Sequence, residues 1–451
     1  MGSLGAPSDV HIIMAAVPGY GHVRPLRSLA RSLTKTGHSI TFCTSDAFEE
    51  SLSAIAGVEF VSYKGIANWG PDTMNEYFPE RASLPQDPRR VVWDLEHVFF
   101  GGLSEQFAAI NSVLARPELQ RKQVVVVADA SVTGLLPVVL EGKGVRRVPV
   151  IAVANFPFLS LSKDTAPFGM GLPSQDEEKN RELNAQVTAM FGPAHEACKR
   201  ILSPYACAKP LPSEFPLDNL HLTPDLYLQL CIPDMELPRT DLPPNTRLVG
   251  TLLGANDKKG EPEWYNDFVV DDNRPLVVVT SGTIPGIDPQ ELIIPTLEAC
   301  KDLPVRVVAC AVFVEMGDYE LPANARVAEW IPFEDLFTYT SLVVSNGGYG
   351  GINQAFANGI PMIVAGMTED KIETSMRAER TGAAINLRTQ TPSIVQLRDA
   401  VEKILADGTY KQRALELKEK YAEYDAIGSV VKAIDEIVEK FYDVDGGVKG
   451  R

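Results

Sequence analysis

The stretch that decides the fold reads VAEWIPFEDLF at residues 327–337 and LVVSNGGYGGINQAFANGIPMIVAGMTEDKIETSMRAERTGAAINL at residues 342–387. Near its centre an apolar run ends at Ser345-Asn346, a cluster of glycines follows, and a helical pattern begins directly afterwards. This order is typical of a strand, a tight turn and the N-terminus of a helix. Because glycines let backbone N–H groups approach an anion and the helix dipole favours negative charge there, the stretch predicts a phosphate site. The glycines of this cluster are Gly347, Gly348, Gly350 and Gly351.

Short apolar runs alternate with helical patterns on both sides of this stretch. The runs are apolar on both faces, which is typical of parallel strands covered by helices on either side of a sheet. The sequence therefore predicts an α/β fold made of two units of similar size. The candidate strands are Val10–Val17, Ser39–Thr44, Gln123–Ala128 and Val148–Ala154 in the first unit, and Pro275–Thr280, Val305–Cys310, Val327–Trp330, Leu342–Val344 and Met362–Ala365 in the second.

A proline-rich segment with weak periodicity separates the two units and predicts the domain boundaries. The predicted parts are an N-terminal domain at residues 1–240, a linker at 241–270, a C-terminal domain at 271–425, and a final helix with a polar tail at 426–451. Two segments of the N-terminal domain, Ile66–Arg90 and Phe156–Ser174, break the alternation and are predicted to be long loops. Long loops in a compact domain are often functional.

Composition restricts the class of partner. The 451 residues are 45% hydrophobic and carry a net charge of −17, which argues against nucleic acid or an anionic membrane surface. The six cysteines are scattered without a CxxC pair or a zinc-like cluster. The N-terminus lacks the pattern of a signal peptide, and no uninterrupted apolar run reaches the length of a membrane span. We therefore expect a cytoplasmic protein that is a monomer or a weak homodimer.

Two polar residues follow candidate strands of the first unit. His22 lies after the first strand, and Asp129 ends the strand that begins at Gln123. Taken singly, His22 is more often a structural residue at a helix start, and Asp129 an N-cap for a helix from about Val132. The carboxyl ends of parallel strands meet at one crevice, however, where an Asp can fix the tautomer of a His and stabilise its imidazolium. The pair therefore predicts a general base with a supporting carboxylate.

A dinucleotide-binding turn is the alternative interpretation of the same region. Gly19-x-Gly21 resembles the start of that motif, but Arg24 stands where its third glycine belongs. Asp46 is a weak candidate for the acidic residue that would bind a ribose. These departures weaken the oxidoreductase hypothesis.

Six short motifs together indicate a family. They are GHVRP at 21–25, VADA at 127–130, TSGT at 280–283, WIP at 330–332, NGG at 346–348 and DK at 370–371. With these motifs the chain resembles the family 1 UDP-glycosyltransferase superfamily over nearly its whole length, in a microbial-type branch with Asn-Gly-Gly in place of His-Gly-Gly. The resemblance implies the GT-B fold, in which two Rossmann-like domains face each other across a cleft. It also implies that the last helix crosses back onto the N-terminal domain.

The resemblance assigns roles to residues. It implies that His22 is the catalytic base and Asp129 its partner, and that the C-terminal domain holds a UDP-sugar. The donor-binding positions it implies are Thr280, Gly282, Thr283, Trp330, Ile331, Phe333, Asn346, Gly347, Gly348, Gly350, Gly351, Gln354, Asp370 and Lys371. Trp330 would stack on the base, the glycine cluster would receive the diphosphate, and Asp370 would accept two sugar hydroxyls.

The acceptor site has no motif of its own. Gly21, beside the base, and several aromatic residues of the N-terminal domain are weak candidates, although most of these aromatics are also expected in the core. The candidates are Trp69, Phe78, Trp93, Phe156 and Phe158. We expect a small, apolar, hydroxyl-bearing acceptor of aromatic, polyketide, terpenoid or lipid-like character.

The chain departs from the family pattern around the donor. Asn346 replaces a His, Phe333 and Gln354 replace a Gln and a Glu, and Lys371 replaces a sugar-binding Gln. The expected donor is UDP-glucose, and the resemblance implies inversion without a metal or other cofactor. The acidic run Asp443-Val444-Asp445 matches a metal motif of another glycosyltransferase fold, but a solvated tail explains it better.

Two other functions are compatible with these motifs. One is a GT-B epimerase or phosphorylase-like enzyme that acts on the nucleotide-sugar itself. The other is a non-catalytic accessory protein that binds a nucleotide-sugar. The His22–Asp129 pair argues against the second, since binding alone needs neither residue.

Overall fold

The computed structural model describes residues 10–85, 88–253, 260–282, 288–311, 314–329, 331 and 333–442. Within these residues the chain forms two parallel sheets, one of seven strands and one of six. The predicted α/β class is therefore confirmed. Thr283, Trp330 and the acidic run at 443–445, each singled out in the sequence, lie outside the described residues.

The first sheet has the strand order β3-β2-β1-β4-β5-β6-β7. Its strands are β1 (Val10–Ala15), β2 (Ser39–Thr44), β3 (Val58–Ser62), β4 (Gln123–Asp129), β5 (Val150–Ala154), β6 (Leu226–Gln229) and β7 (Thr246–Leu248). The chain winds outward in one direction from β1 and in the other from β4. In such a sheet, ligands bind beyond the carboxyl ends of the strands at the point where the order reverses, which here lies between β1 and β4.

The second sheet repeats the arrangement with the order β10-β9-β8-β11-β12-β13. Its strands are β8 (Leu276–Thr280), β9 (Arg306–Cys310), β10 (Ala325–Ala328), β11 (Thr340–Ser345), β12 (Met362–Val364) and β13 (Ala384–Asn386). Here the order reverses between β8 and β11. The glycine cluster of the opening stretch therefore follows a strand at a ligand-binding position of the sheet.

Helices cover both faces of each sheet. They are α1 (Tyr20–Lys35), α2 (Glu49–Ser53), α3 (Met74–Tyr77), α4 (Pro88–Asp94), α5 (Leu103–Leu114), α6 (Leu136–Val139), α7 (Glu177–Met190), α8 (Gly192–Leu202), α9 (Pro216–Leu222), α10 (Ile293–Cys300), α11 (Phe333–Tyr339), α12 (Tyr349–Ala357), α13 (Lys371–Arg380), α14 (Ile394–Ala406), α15 (Gly408–Ala422) and α16 (Ala426–Phe441). Short 3₁₀ or π segments cover Asp46–Phe48, Gly65–Ala67, Pro79–Ser83, Leu95–Phe99, Pro117–Leu119, Thr133–Leu135, Ser203–Tyr205, Pro233–Met235 and Asn266–Val270.

Alternate residues of the strands point into two apolar layers, one on each face of each sheet. On the first sheet, α5 and α8 pack on one face and α1 and α16 on the other. On the second sheet, α12 and α15 pack on one face and α10 and α14 on the other. Helix α16 thus returns from the C-terminal half to the first sheet. There the Tyr442 hydroxyl donates a hydrogen bond of 2.8 Å to the carbonyl of Val124 in β4.

Three segments differ from the sequence-based expectation. Strand β7 lies within the predicted linker and pairs with β6; it has only three residues, too few for a periodic signal. The helical spacing of apolar residues in the sequence runs over Pro25–Lys35, but α1 begins at Tyr20, so that the proline lies inside the helix. The predicted loop Ile66–Arg90 contains α3 and the start of α4, whereas residues 156–174 are irregular as expected. The domain limits at 240, 270 and 425 stay predictions.

The described residues include no helix that is both long enough and apolar enough to span a bilayer.

Candidate active site

His22 and Asp129 meet at the point where the strand order of the first sheet reverses. Strands β1 and β4 are paired with Ala15 opposite Ala128, so the residues that follow them emerge side by side. The Nδ1 atom of His22 lies 3.0 Å from Oδ2 of Asp129. Asp129 is buried with 4% of its side chain exposed, while His22 keeps 29% exposed. The arrangement presents the imidazole to the cleft and hides the carboxylate behind it.

Asp129 is held in place by the backbone. Its Oδ2 atom accepts a weak hydrogen bond of 3.4 Å from the N–H of Val17, and its Oδ1 atom accepts one of 3.3 Å from Ser131. These donors satisfy part of the buried carboxylate, which is costly to leave unpaired. The carboxylate therefore points at His22 in a fixed orientation.

The electrostatic surroundings favour protonation of His22. Burial lowers the pKa of His22, but the charge of Asp129, its hydrogen bond and the charge of Asp370 together raise the pKa above its usual value of 6.5. A raised pKa makes the imidazole a stronger base. Asp370 belongs to the second half of the chain, so groups from both halves contribute to the raised pKa of His22.

The start of α1 is fixed by an unpredicted residue. Pro25 lacks an N–H group and lies inside α1, so the carbonyl of Gly21 has no donor at the usual position in the helix. The side chain of Asn155, directly after β5, donates a hydrogen bond of 3.3 Å to that carbonyl. Asn155 thereby ties the helix that carries His22 to the neighbouring strand end.

The carboxyl ends of β8 and β11 form the second half of the site. The Thr280 hydroxyl accepts a hydrogen bond of 3.2 Å from the N–H of Gly282, which has a φ of +81°. The side-chain amide of Asn346 donates a hydrogen bond to the carbonyl of Ser281. Asn346 therefore joins the two strand ends, a structural task that the sequence did not reveal.

The glycine cluster adopts the predicted turn. Gly347 has a φ of +88°, and a Cβ atom there would lie 2.5 Å from the Ser375 hydroxyl. Both facts require glycine. Gly348 is the N-cap residue of α12 and offers no side chain to the first turn. The N–H groups of that turn are therefore available to an anion in the way that helix N-termini bind phosphate.

The two halves touch beside this turn. A Cβ atom at Gly350 would lie 2.9 Å from Nδ2 of Asn155. The N-terminus of α12 thus faces the strand ends that carry His22 and Asp129 in their own sheet.

Asp370 and Lys371 lie at the start of α13, where the backbone of Lys371 is close to Gly347. Burial raises the pKa of Asp370, which Lys371 opposes. The Lys371 ammonium is buried and binds the Glu369 carboxylate, while Glu369 itself has a φ of +49°. An unfavourable backbone conformation of this kind occurs most often at functional sites. Lys371 therefore binds Glu369, and it makes no such hydrogen bond to the neighbouring Asp370 carboxylate in the described structure.

The other donor candidates range from buried to exposed. Ile331 is buried in the apolar layer beside α12, and Phe333 stacks on Phe337 with ring centroids 5.0 Å apart. Gln354 is half-buried on α12, and Gly351 is exposed with open space around it.

Among the acceptor candidates, Phe156 lies beside the base. Its ring centroid lies 6.3 Å from that of His22, and Gly21 is adjacent in sequence. Trp69 and Phe78 are buried in the layer on α5, and Trp93 packs against the same layer and stacks on His97. Phe158 stacks on His221 with centroids 5.5 Å apart. These four aromatics have core contacts, and their role with an acceptor stays a prediction.

Sequence reasoning missed six polar residues of the structure. Asn155, which is half-buried, could have been found because it is a polar residue directly after an apolar strand. The other five are buried: Gln229, Glu236, Tyr349, Glu373 and Arg377. The three charged ones gave no signal, since charged residues on helices and loops usually face water.

The described residues contain no cluster of three or more His, Cys, Asp or Glu side chains that could hold a metal ion. The expected independence of metal stays a prediction.

Known proteins resemble this chain in sequence and in fold. A family profile described as "Erythromycin biosynthesis protein CIII-like, C-terminal domain" matches residues 302–437. UDP-glycosyltransferase 2 of Phaeomoniella chlamydospora is 39% identical over 96% of this chain and 97% of its own length. UDP-glucosyltransferase avaP of Aspergillus versicolor is 30% identical over 98% of this chain and 100% of its own.

A solved structure supports the architecture. The calicheamicin glycosyltransferase CalG4 matches with a TM-score of 0.69 at 18% identity, covering 95% of this chain and 98% of that one. At this identity the likeness concerns the fold alone. It confirms the predicted two-domain GT-B architecture.

Proposed function

Because the chain belongs to the UDP-glycosyltransferase superfamily and has its GT-B fold, we propose that it transfers glucose from UDP-glucose to a hydroxyl group of a small apolar acceptor. The single observation that carries the proposal is the His22–Asp129 pair, in a sheet that contacts the uncapped start of α12 where Asn155 meets Gly350. One half supplies a base for the acceptor, and the other supplies an anion site for the leaving group. A sugar donor bridges the two.

The base works through the ring nitrogen that faces away from Asp129. Because Nδ1 of His22 is hydrogen-bonded to the carboxylate, Nδ1 carries the proton and Nε2 has the lone pair. Nε2 takes the proton of the acceptor hydroxyl while its oxygen forms a bond to the anomeric carbon. Asp129 stabilises the resulting imidazolium and does not itself take the proton.

The leaving group is stabilised by the second half. The bond between the anomeric carbon and the diphosphate oxygen breaks, and its electron pair leaves with UDP. Negative charge develops where the first-turn N–H groups of α12 point. The anomeric carbon is attacked from the side opposite the diphosphate, so an α-linked donor gives a β-glycoside.

The donor sugar is placed by Asp370. Its carboxylate can accept hydrogen bonds from two adjacent hydroxyls. Lys371 is paired with Glu369, so the turn offers no unpaired cation there and suits a neutral hexose. The name UDP-glucosyltransferase, carried by the relative from Aspergillus versicolor, supports glucose.

The proposal is tested by incubating the protein with UDP-glucose and a panel of hydroxylated aromatic, terpenoid and lipid acceptors. We expect an acceptor that gains one hexose and an equal amount of free UDP. Incubation with UDP-glucose alone tests the alternative epimerase. Conversion to another UDP-hexose without acceptor would overturn the transferase proposal. Tight UDP-glucose binding without turnover on the whole panel would favour an accessory binding protein.

A further inference from the structure

Three charged residues are buried together where the two halves of the chain meet. Nε of Arg377 lies 3.0 Å from Oε2 of Glu236, and its Nη1 atom lies 2.6 Å from Oε2 of Glu373. None of the three side chains is more than 5% exposed. Arg377 and Glu373 lie on α13 of the C-terminal half, whereas Glu236 lies between β6 and β7 of the first sheet.

The two carboxylates also bind both ends of one irregular segment, residues 156–174. Oε1 of Glu236 accepts a hydrogen bond of 3.3 Å from the N–H of Phe158. Oε1 of Glu373 accepts bonds of 3.1 Å from Gly169 and 2.6 Å from Gly171. The segment is thus attached to α13 through charge-assisted hydrogen bonds, which are stronger than neutral ones.

Packing reinforces the attachment at one glycine. Gly171 has a φ of +59°, and a Cβ atom there would overlap the Ile372 side chain. Gly169 also has a positive φ, but no atom lies within 4 Å of the place of its Cβ. The segment therefore lies tightly against α13 at Gly171 and loosely at Gly169.

Burial of these charges needs a reason other than stability. Removing paired charges from water costs about as much as their attraction returns, and apolar residues of similar size often stabilise a protein equally well. The charged triad instead fixes the orientation of the segment, because the Oε1 atoms of Glu236 and Glu373 accept hydrogen bonds from particular backbone N–H groups. The segment begins at Phe156 beside His22 and ends against the helix that starts after Asp370.

We propose that Glu373 is a positioning residue that determines acceptor specificity by holding the 156–174 segment against α13. This deepens the proposed function and rests on it. The segment forms a wall of the acceptor site next to the base, and Glu373 sets its distance from the donor sugar at Asp370. With Glu373 intact, the wall is formed before the acceptor arrives, and the acceptor does not have to order it.

The test uses variants that act on the segment by different routes. Glu373→Ala removes the carboxylate, and Gly171→Ala pushes the segment off Ile372 without changing any charge. Glu373→Gln keeps an oxygen acceptor for the two glycine amides and serves as the conservative rescue. Gly169→Ala is the control for glycine replacement without a clash. Glu379→Gln, on the same helix but paired with the exposed Arg388, is the control for loss of a surface charge.

The first readout does not depend on activity. Amide hydrogen exchange at the Gly169–Gly171 end of the segment, which bonds to Glu373, should speed up by roughly tenfold or more in Glu373→Ala and Gly171→Ala, and little in Glu379→Gln. Unchanged exchange in a folded Glu373→Ala protein would overturn the proposal. If Glu373→Ala does not fold, Gly171→Ala alone decides in the same way.

The second readout is steady-state kinetics with UDP-glucose and three acceptor probes: 4-methylumbelliferone, a flavonol and a long-chain hydroxy fatty acid. We expect the acceptor KM to rise roughly tenfold and the ratio of kcat/KM between probes to change in Glu373→Ala and Gly171→Ala. The Kd of UDP should stay constant, Glu373→Gln should recover most of the loss, and Gly169→Ala should change the probe ratio less than Gly171→Ala.

Different results would contradict the proposed function and the role of Glu373. A wild-type protein that glycosylates none of the probes contradicts the proposed function, and the exchange result still reports on the segment. An active wild type whose Glu373→Ala variant exchanges faster but keeps the same KM and probe ratio overturns the role of Glu373 in specificity.

Discussion

The Nδ1 atom of His22 lies 3.0 Å from Oδ2 of Asp129, although the two residues follow different strands of the first sheet. They meet because β1 and β4 are neighbours at the place where the strand order reverses. The buried carboxylate fixes the imidazole and raises its pKa.

Replacement of His22 should abolish chemistry and preserve donor binding. His22→Ala removes the base, so kcat should fall by roughly 10²–10⁴. The Kd of UDP, measured by calorimetry, should stay unchanged because the diphosphate site lies at α12. His38→Gln is the matched control, since His38 is also buried but pairs with Thr36. Near-normal turnover in His22→Ala would contradict the base assignment.

The pH profile should report the raised pKa of His22. Only neutral His22 accepts a proton, so kcat/KM should fall as the pH drops through a pKa above the usual 6.5. In Asp129→Asn the charge that favours the imidazolium is gone, so this acid limb should move to lower pH. The rate at the optimum should also drop by about 10² or more, because an amide can hold the wrong tautomer. An acid limb that does not move in Asp129→Asn would mean that another group titrates.

The phosphate site at Gly348 can be blocked without straining the protein. Gly348 has a φ of −63°, and the nearest atom to an added Cβ lies at 4.0 Å, so valine fits the backbone there. Gly348→Val should weaken UDP binding roughly ten- to a hundredfold, because hydrogen bonds to a charged group are lost. Gly192→Val, at the start of α8 with open space around it, controls for valine at a helix start. Unchanged UDP affinity in a folded Gly348→Val protein would remove the phosphate site from α12.

Asp370 should matter for the sugar and not for the nucleotide. Asp370→Ala removes the carboxylate that we assign to two sugar hydroxyls, so the Kd of UDP-glucose should rise roughly tenfold or more. The Kd of UDP should change little, which makes UDP the matched control ligand. The acid limb should also shift slightly to lower pH, since Asp370 raises the pKa of His22. Equal losses for UDP and UDP-glucose would place Asp370 at the diphosphate instead.

The sequence predicted the features that are local. Strand β2 has the predicted limits Ser39–Thr44, and the turn at Gly347 and Gly348 has the predicted form. A run of apolar residues and a glycine cluster each determine their own conformation, because the causes are steric and local. The sequence also predicted that His22 and Asp129 lie together, since both residues are at the carboxyl ends of parallel strands.

Features that depend on distant partners could not be predicted in the same way. Pro25 lies inside α1, where Asn155 from the neighbouring strand end donates a hydrogen bond to the Gly21 carbonyl that the proline leaves without a backbone donor. The burial of Arg377 depends on Glu236, which lies in the other half of the chain. The sequence predicts Asn346 as a donor-binding residue, whereas its bond to Ser281 depends on the two strand ends being neighbours.

Transfer itself is the most direct test of the account. Wild-type protein and His22→Ala should be incubated with carbon-13-labelled UDP-glucose and the acceptor panel, and the products followed by mass spectrometry. We predict that the wild type yields an acceptor carrying one labelled hexose with one UDP released per product, and that His22→Ala yields at least about a hundredfold less. Equal product formation by His22→Ala, or conversion of UDP-glucose by the wild type without any acceptor, would contradict it.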